Sequence, residues 1–226
     1  MNKYFAEFVG TFFLVLTIGC TVIGHGAGPL APLAIGSALM VMIFAGGHIS
    51  GGHFNPAVTL GVWLRGKCKA KDVAPYMIFQ IAGAVLAAFV VKFLKGGAAV
   101  APLQPATIPA LLAEFLFTFA LVYVVLNVAT AKGTSGNSFY GLAIGFTVLV
   151  GAFSVGNISG GVFNPAVAAG ISVMGLSSWS NIWIYVVADF AGAVVAVGAF
   201  KALNPADRED VDRHDSRDQQ DKAKAA

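Results

Sequence analysis

A ten-residue frame that recurs 109 positions later constrains this chain more than any other feature. Ile49-Ser50-Gly51-Gly52-x-Phe54-Asn55-Pro56-Ala57-Val58 returns as Ile158-Ser159-Gly160-Gly161-x-Phe163-Asn164-Pro165-Ala166-Val167. Leu33-Ala34-Ile35-Gly36 returns at 142–145, and Tyr76, Gln80 and Gly83 return as Tyr185, Asp189 and Gly192, again 109 positions on. Ala6-Glu7-Phe8 returns as Ala113-Glu114-Phe115 at a separation of 107. Separations this uniform over several blocks mark a duplicated folding unit rather than a copied motif.

The solvent of that unit follows from polarity. The chain is 57% hydrophobic and only 11% charged, against about a quarter charged in a soluble domain. Lipid is the solvent that such a surface fits. Six apolar stretches, roughly 4–23, 32–47, 75–95, 109–130, 139–154 and 179–203, are predicted to span. Two shorter ones, about 55–64 and 164–173, cannot cross a hydrocarbon core ~30 Å thick and read as re-entrant half-helices. The N-terminal stretch superficially resembles a signal peptide, but it is too long and carries Glu7, so it reads as a retained first span.

Each repeat then holds three spans, an odd number, so the second copy is inverted relative to the first. The expected architecture is an all-α membrane protein of six transmembrane helices and two half-helices, in inverted three-span repeats. Repeat one covers about 1–108 and repeat two about 109–203 of a channel domain 1–203. Residues 204–226 carry five bases and seven acids, cannot bury a core, and read as a disordered tail. Because so much of the net charge balance lies there, the net +3 gives no support to nucleic-acid binding.

Lys3, Arg65, Lys67, Lys69, Lys71, Lys132 and Lys201 fall on one side of this topology, and Lys92 and Lys95 on the other. By the positive-inside rule both termini are cytoplasmic. Short loops point to the cell (inner) membrane rather than an organelle. Cys20 and Cys68 sit in unlike surroundings and read as free thiols.

The chemistry of the repeated frame is that of a helix start. Asn is a favoured N-cap, and Pro suits the first helical position. With its oxygen accepting from the first turn, the Asn amide is left to donate outward. Two half-helices entering from opposite faces would bring Asn55 and Asn164 together at mid-membrane, each with about +0.5 of a charge at its N-terminus. A water passing there would turn its oxygen to both amides, and cations would be opposed. The Gly pairs Gly51-Gly52 and Gly160-Gly161 permit backbone that turns carbonyls toward a wet cavity.

His48 and His53 lie five apart; a structural hydrogen bond for His48 and a backbone contribution from His53 are expected. No third ligand supports a metal site, and neither a metal nor a cofactor is expected. Asn157-Ile158-Ser159 matches a glycosylation sequon but precedes the second half-helix, where a glycan has no room.

These motifs resemble the aquaporin (major intrinsic protein) family over residues 4–203, above all His48–Thr59. The resemblance implies an hourglass pore in each subunit of a homotetramer, selective by diameter and electrostatic barriers. It assigns Asn55 and Asn164 as pore-centre donors, with Pro56, Ala57, Pro165 and Ala166 starting the half-helices. It gives the carbonyl ladder to Gly51, Gly52, His53 and Phe54, and to Gly160, Gly161 and Val162. It makes Glu7 and Glu114 buried supports of the loops, beside His48. The filter positions become Ile35, Ala152, Gly161 and Val167. Members usually carry Arg where this chain has Val167, and Ala168 replaces the Asp typical of glycerol facilitators. Val after the second motif resembles plant vacuolar-membrane aquaporins.

The expected function is a passive channel for water and small neutral solutes such as glycerol, urea, ammonia or hydrogen peroxide, embedded in lipid and not an enzyme. The alternative is an ion channel or ion-coupled transporter, which would need paired charges where this chain has Asn, Pro and Ala.

Overall fold

The computed structural model describes residues 1–207. Eight helices carry the fold: α1 (Asn2–Val22), α2 (Ala31–Ser50), α3 (Pro56–Leu64), α4 (Ala70–Leu94), α5 (Thr107–Thr130), α6 (Tyr140–Ser159), α7 (Pro165–Met174) and α8 (Ile182–Leu203). Six are long and apolar enough to cross a membrane. α3 and α7 are the two short ones. No strand occurs among the described residues, only a single bridge between Leu103 and Ser177.

The packing follows the duplication. α1 lies on α2 and α4, as α5 lies on α6 and α8, and α2 meets α6 between the halves. The half-helices cross over: α3 packs against α8, and α7 against α4. Each re-entrant helix is thus held chiefly by the last span of the other repeat. Small residues allow the close crossings. A Cβ on Gly83 would stand 2.4 Å from Phe8 O, and one on its counterpart Gly192 would stand 2.6 Å from Phe115 O.

Side chains divide by environment as lipid requires. Phe89, Phe93, Ile78 and Leu112 point outward and are exposed, while most of the buried polar groups gather around the two loops.

Three boundaries differ from the sequence reading. α2 and α6 run on to Ser50 and Ser159, beyond the expected ends at 47 and 154, because their apolar pattern gives way to small residues without breaking the helical hydrogen bonds. Left-handed caps at Gly51 (φ 94°) and Gly160 (φ 100°) end them. α4 starts at Ala70 rather than at Pro75; the proline sits inside the helix and omits one backbone bond.

The expected tail boundary also moves. Residues 205–207 form a short turn in which Asp207 is buried against Arg65, the ion pair closing at 2.7 Å. The rest of that tail, 208–226, lies outside the described residues.

Candidate functional site

α3 and α7 meet end to end through their caps. Asn55 Oδ1 accepts from Ala57 N at 2.8 Å, and Asn164 Oδ1 accepts from Ala166 N at 2.9 Å. Pro56 and Pro165 follow as the first helical residues. The amides then reach across: Asn55 Nδ2 donates to Phe163 O at 2.7 Å, and Asn164 Nδ2 to Phe54 O at 2.9 Å. The sequence reading left these amides wholly free. One N–H of each instead locks the opposite loop, of the two that a primary amide carries.

The loops ahead of the caps take an unusual backbone course. Gly51, Gly52, Gly160 and Gly161 all have positive φ, and so do Phe54 (48°) and Phe163 (50°). For a Phe that conformation costs about 1–3 kcal/mol and needs support from its surroundings. Glu7 supplies it in the first repeat. Its carboxylate accepts from Phe54 N (2.6 Å), His53 N (3.0 Å), Ser50 Oγ (2.6 Å) and Gln80 Nε2 (2.7 Å). Glu114 does the same for Phe163 N (2.6 Å), Val162 N (3.0 Å) and Ser159 Oγ. Both glutamates are fully buried. Tyr76 and Tyr185 complete the brace, donating to Ser50 O (2.8 Å) and Ser159 O (2.9 Å).

His48 is a correction. It was expected as a buried loop support, yet it is exposed at the end of α2. The helix continues through Ser50, so Gly46 and Ser50 face inward and His48 is turned away from them. Ser50 holds the place expected of His48. His53 is buried, its Nδ1 lying 3.1 Å from Thr59 Oγ1.

A passage runs past the paired caps. Its smallest cavity, about 30 Å³, is lined on one side by Gly52, His53, Asn55, Gly161, Val162, Phe163 and Asn164. That volume is enough for roughly two waters. The other side is apolar and is built from four pairs spaced one helical turn apart: Leu14 and Ile18, Ile35 and Leu39, Leu121 and Val125, Ile144 and Val148. The second two pairs are the repeat counterparts of the first two, in the same order along the chain. Sequence reasoning found only Ile35 among these eight, although the shared repeat separation marks them.

At the N-terminal face the narrow cavity opens, through His53 and Val125, into one of about 300 Å³ that includes Lys3, Lys67, Lys69 and Asp72. Cys68 borders it, a free thiol that burial pushes up to about 11. At the opposite face it opens into a cavity of about 780 Å³. Ile35, Gly161 and Val167 line both the narrow part and this wide mouth, and Ala152 lines the mouth alone. Gly51 borders the N-terminal mouth and Gly160 the opposite one. Ile18 and Val162 join the first three at the junction. Among the described residues, His53 is the one ionisable side chain on the narrow stretch.

The arrangement agrees with comparisons to known proteins. The sequence profile described as Major intrinsic protein matches residues 1–200. The chain is 36% identical over 214 residues to Aquaporin NIP1-4 of Oryza sativa subsp. japonica, covering 90% of this chain and 77% of that one. It is 37% identical over 217 residues to Glycerol uptake facilitator protein-like 6 of Lactiplantibacillus plantarum, covering 92% of this chain and 100% of that one. The fold resembles that of the aquaglyceroporin from Plasmodium falciparum with a TM-score of 0.77 at 22% identity, over 91% of this chain and 98% of that one. With the repeated loops, the crossed half-helices and these relatives in hand, the chain belongs to the major intrinsic protein family, the aquaporins.

Proposed function

We propose that this protein is a passive transmembrane channel conducting water together with small neutral solutes such as glycerol, urea, ammonia or hydrogen peroxide, while opposing ions. The observation that carries the reading is the head-to-head meeting of α3 and α7 at the smallest cavity of the passage. Two helix N-termini aimed at one point oppose a cation there. The remaining Asn55 and Asn164 N–H groups serve an oxygen passing between them. The apolar wall opposite gives a travelling water no competing partner, so its hydrogens turn toward the loop carbonyls.

Solute range rests on the ring at the wide mouth. Ile35, Ala152, Gly161 and Val167 offer neither a charge nor a bulky aromatic. A carbon-bearing polyol can slide its apolar edge along such a ring, and no cationic side chain narrows it. We further take the basic face as cytoplasmic, the cell membrane as the site, and four copies as the assembled unit. Those readings draw on charge placement and on the family.

Stopped-flow light scattering on proteoliposomes tests the reading. Water and glycerol flux above that of empty vesicles is the expected result. A water-only profile removes the proposed solute range, and ion current comparable with solute flux in planar bilayers removes the neutral-solute reading altogether.

A further inference from the structure

The two repeats brace their loops alike except at one point. In the first, Gln80 Nε2 donates to Glu7 Oε2 at 2.7 Å and to Thr59 Oγ1 at 2.9 Å. The residue 109 positions after Gln80 is Asp189, and the one 109 after Thr59 is Ala168. The amide donor and its hydroxyl partner are therefore both missing from the second repeat. Thr118 fills one gap. Its counterpart Thr11 donates to the carbonyl of Glu7 within α1, whereas Thr118 Oγ1 turns to Asp189 Oδ1 at 3.0 Å.

Asp189 is fully buried, and as the counterpart of Gln80 it stands toward Glu114 as Gln80 stands toward Glu7, so that the two carboxyls interact. Asp189 Oδ2 receives no N–H or O–H from any described residue. Ionised carboxylates only accept hydrogen bonds, and two of them in contact repel strongly when buried.

Among the described residues, nothing cationic faces the pair. α3 and α7, which pack against α8, contain no ionisable residue. α5 presents Glu114 and Thr118, and the end of α6 presents Ser159. Tyr185, one turn back on α8, is engaged with Ser159 O. Arg65, the cation packed on α8, stacks on Phe200, about 16 Å farther along the helix axis.

We propose that Asp189 is held as the neutral acid and donates its O–H to Glu114, making it a positioning residue for the second re-entrant loop where the Gln80 amide serves the first. The pair carries one proton and one negative charge. Glu114 thereby receives the donor that Glu7 receives from Gln80, and it stays ionised for the N–H groups of Val162 and Phe163. Thr118 fixes the rotamer of Asp189 through the acid's carbonyl oxygen. The second loop is thus braced by a proton where the first is braced by an amide.

Infrared spectroscopy of the full-length protein in lipid at neutral pH tests this without reference to transport. The expected result is a protonated-carboxyl carbonyl band in the wild type that is lost in Asp189→Asn. Water flux provides a second readout. Asn keeps a donor for Glu114 and an acceptor for Thr118, so Asp189→Asn retains flux; Asp189→Leu offers neither and loses it. No acid band in the wild type, a band unchanged by Asp189→Asn, or equal flux in the Asn and Leu variants overturns the proposal. Should Asp189→Leu fail to reach the membrane, the infrared comparison of wild type and Asp189→Asn decides alone.

Discussion

Val167 is the third residue of α7 and lies buried where the narrow passage meets the wide mouth. An Arg there would bring a permanent charge and five N–H donors to the apolar ring. Water can exchange hydrogen bonds with a guanidinium at little loss, but a polyol must also fit its carbons past the longer side chain. Val167→Arg should therefore lower glycerol permeability about tenfold, equivalent to ~1.4 kcal/mol of added barrier, with water permeability falling less. Stopped-flow measurement of both in the same vesicles checks this, and equal losses would argue that Val167 does not line the ring. Position 167 was legible because it follows a motif that fixes its helical register. Ser50 was not singled out although it lies within the repeated frame. His48 drew attention by its chemistry, while helix phase, set by how far α2 continues, decides which of the two turns inward. Phe54 and Phe163 carry no compositional sign of a left-handed backbone. Only their place between a Gly pair and an Asn cap hints at it.

At the scale of elements, the loops hold their shape because a single carboxylate gathers several donors. Glu7 accepts two backbone N–H groups, a hydroxyl and an amide from two separate parts of the chain. Removing it by Glu7→Ala leaves those donors buried, each unsatisfied group costing about 1–3 kcal/mol. The strained Phe54 then loses what holds it. The expected outcome is a loss of roughly 3–5 kcal/mol, a large part of a typical stability. It is read as a clear fall in apparent Tm of the detergent-solubilised protein. Glu7→Ala at wild-type Tm would mean that the α3 cap and the Asn55–Phe163 bond alone fix the loop. The spans and half-helices were legible because length and hydropathy separate them physically. The eight-residue apolar wall was not, since one apolar face of a span reads like any other until the partner helices are placed.

The whole molecule is closed at its N-terminal face by contacts that no repeat pattern announces. Lys3 Nζ meets Asp72 Oδ2 at 2.6 Å, and Tyr4 donates to the same carboxylate, joining the starts of α1 and α4. Arg65, at the end of α3, meets Asp207 beyond α8, and Asp207 also accepts from Lys132 N between α5 and α6. One ion pair thus ties a half-helix of the first repeat to the last span of the second. In the sequence Arg65 is one of several loop cations and Asp207 one of many tail acids; nothing local distinguishes the pair. Its energetics are those of buried ions. Both side chains are almost wholly removed from solvent, and Arg65 Nε and Nη1 find no acceptor among the described residues. Breaking such a pair from one side strands a charge and costs about 3–5 kcal/mol, whereas replacing both partners with apolar groups of similar volume is often neutral. Arg65→Met and Asp207→Leu should each lower the apparent Tm strongly, and the double variant should recover most of the loss. The coupling between them should then exceed about 1 kcal/mol in a double-mutant cycle. Simple additivity would mean that Arg65 is stabilised by its stacking on Phe200 (4.9 Å to the ring centroid) rather than by Asp207.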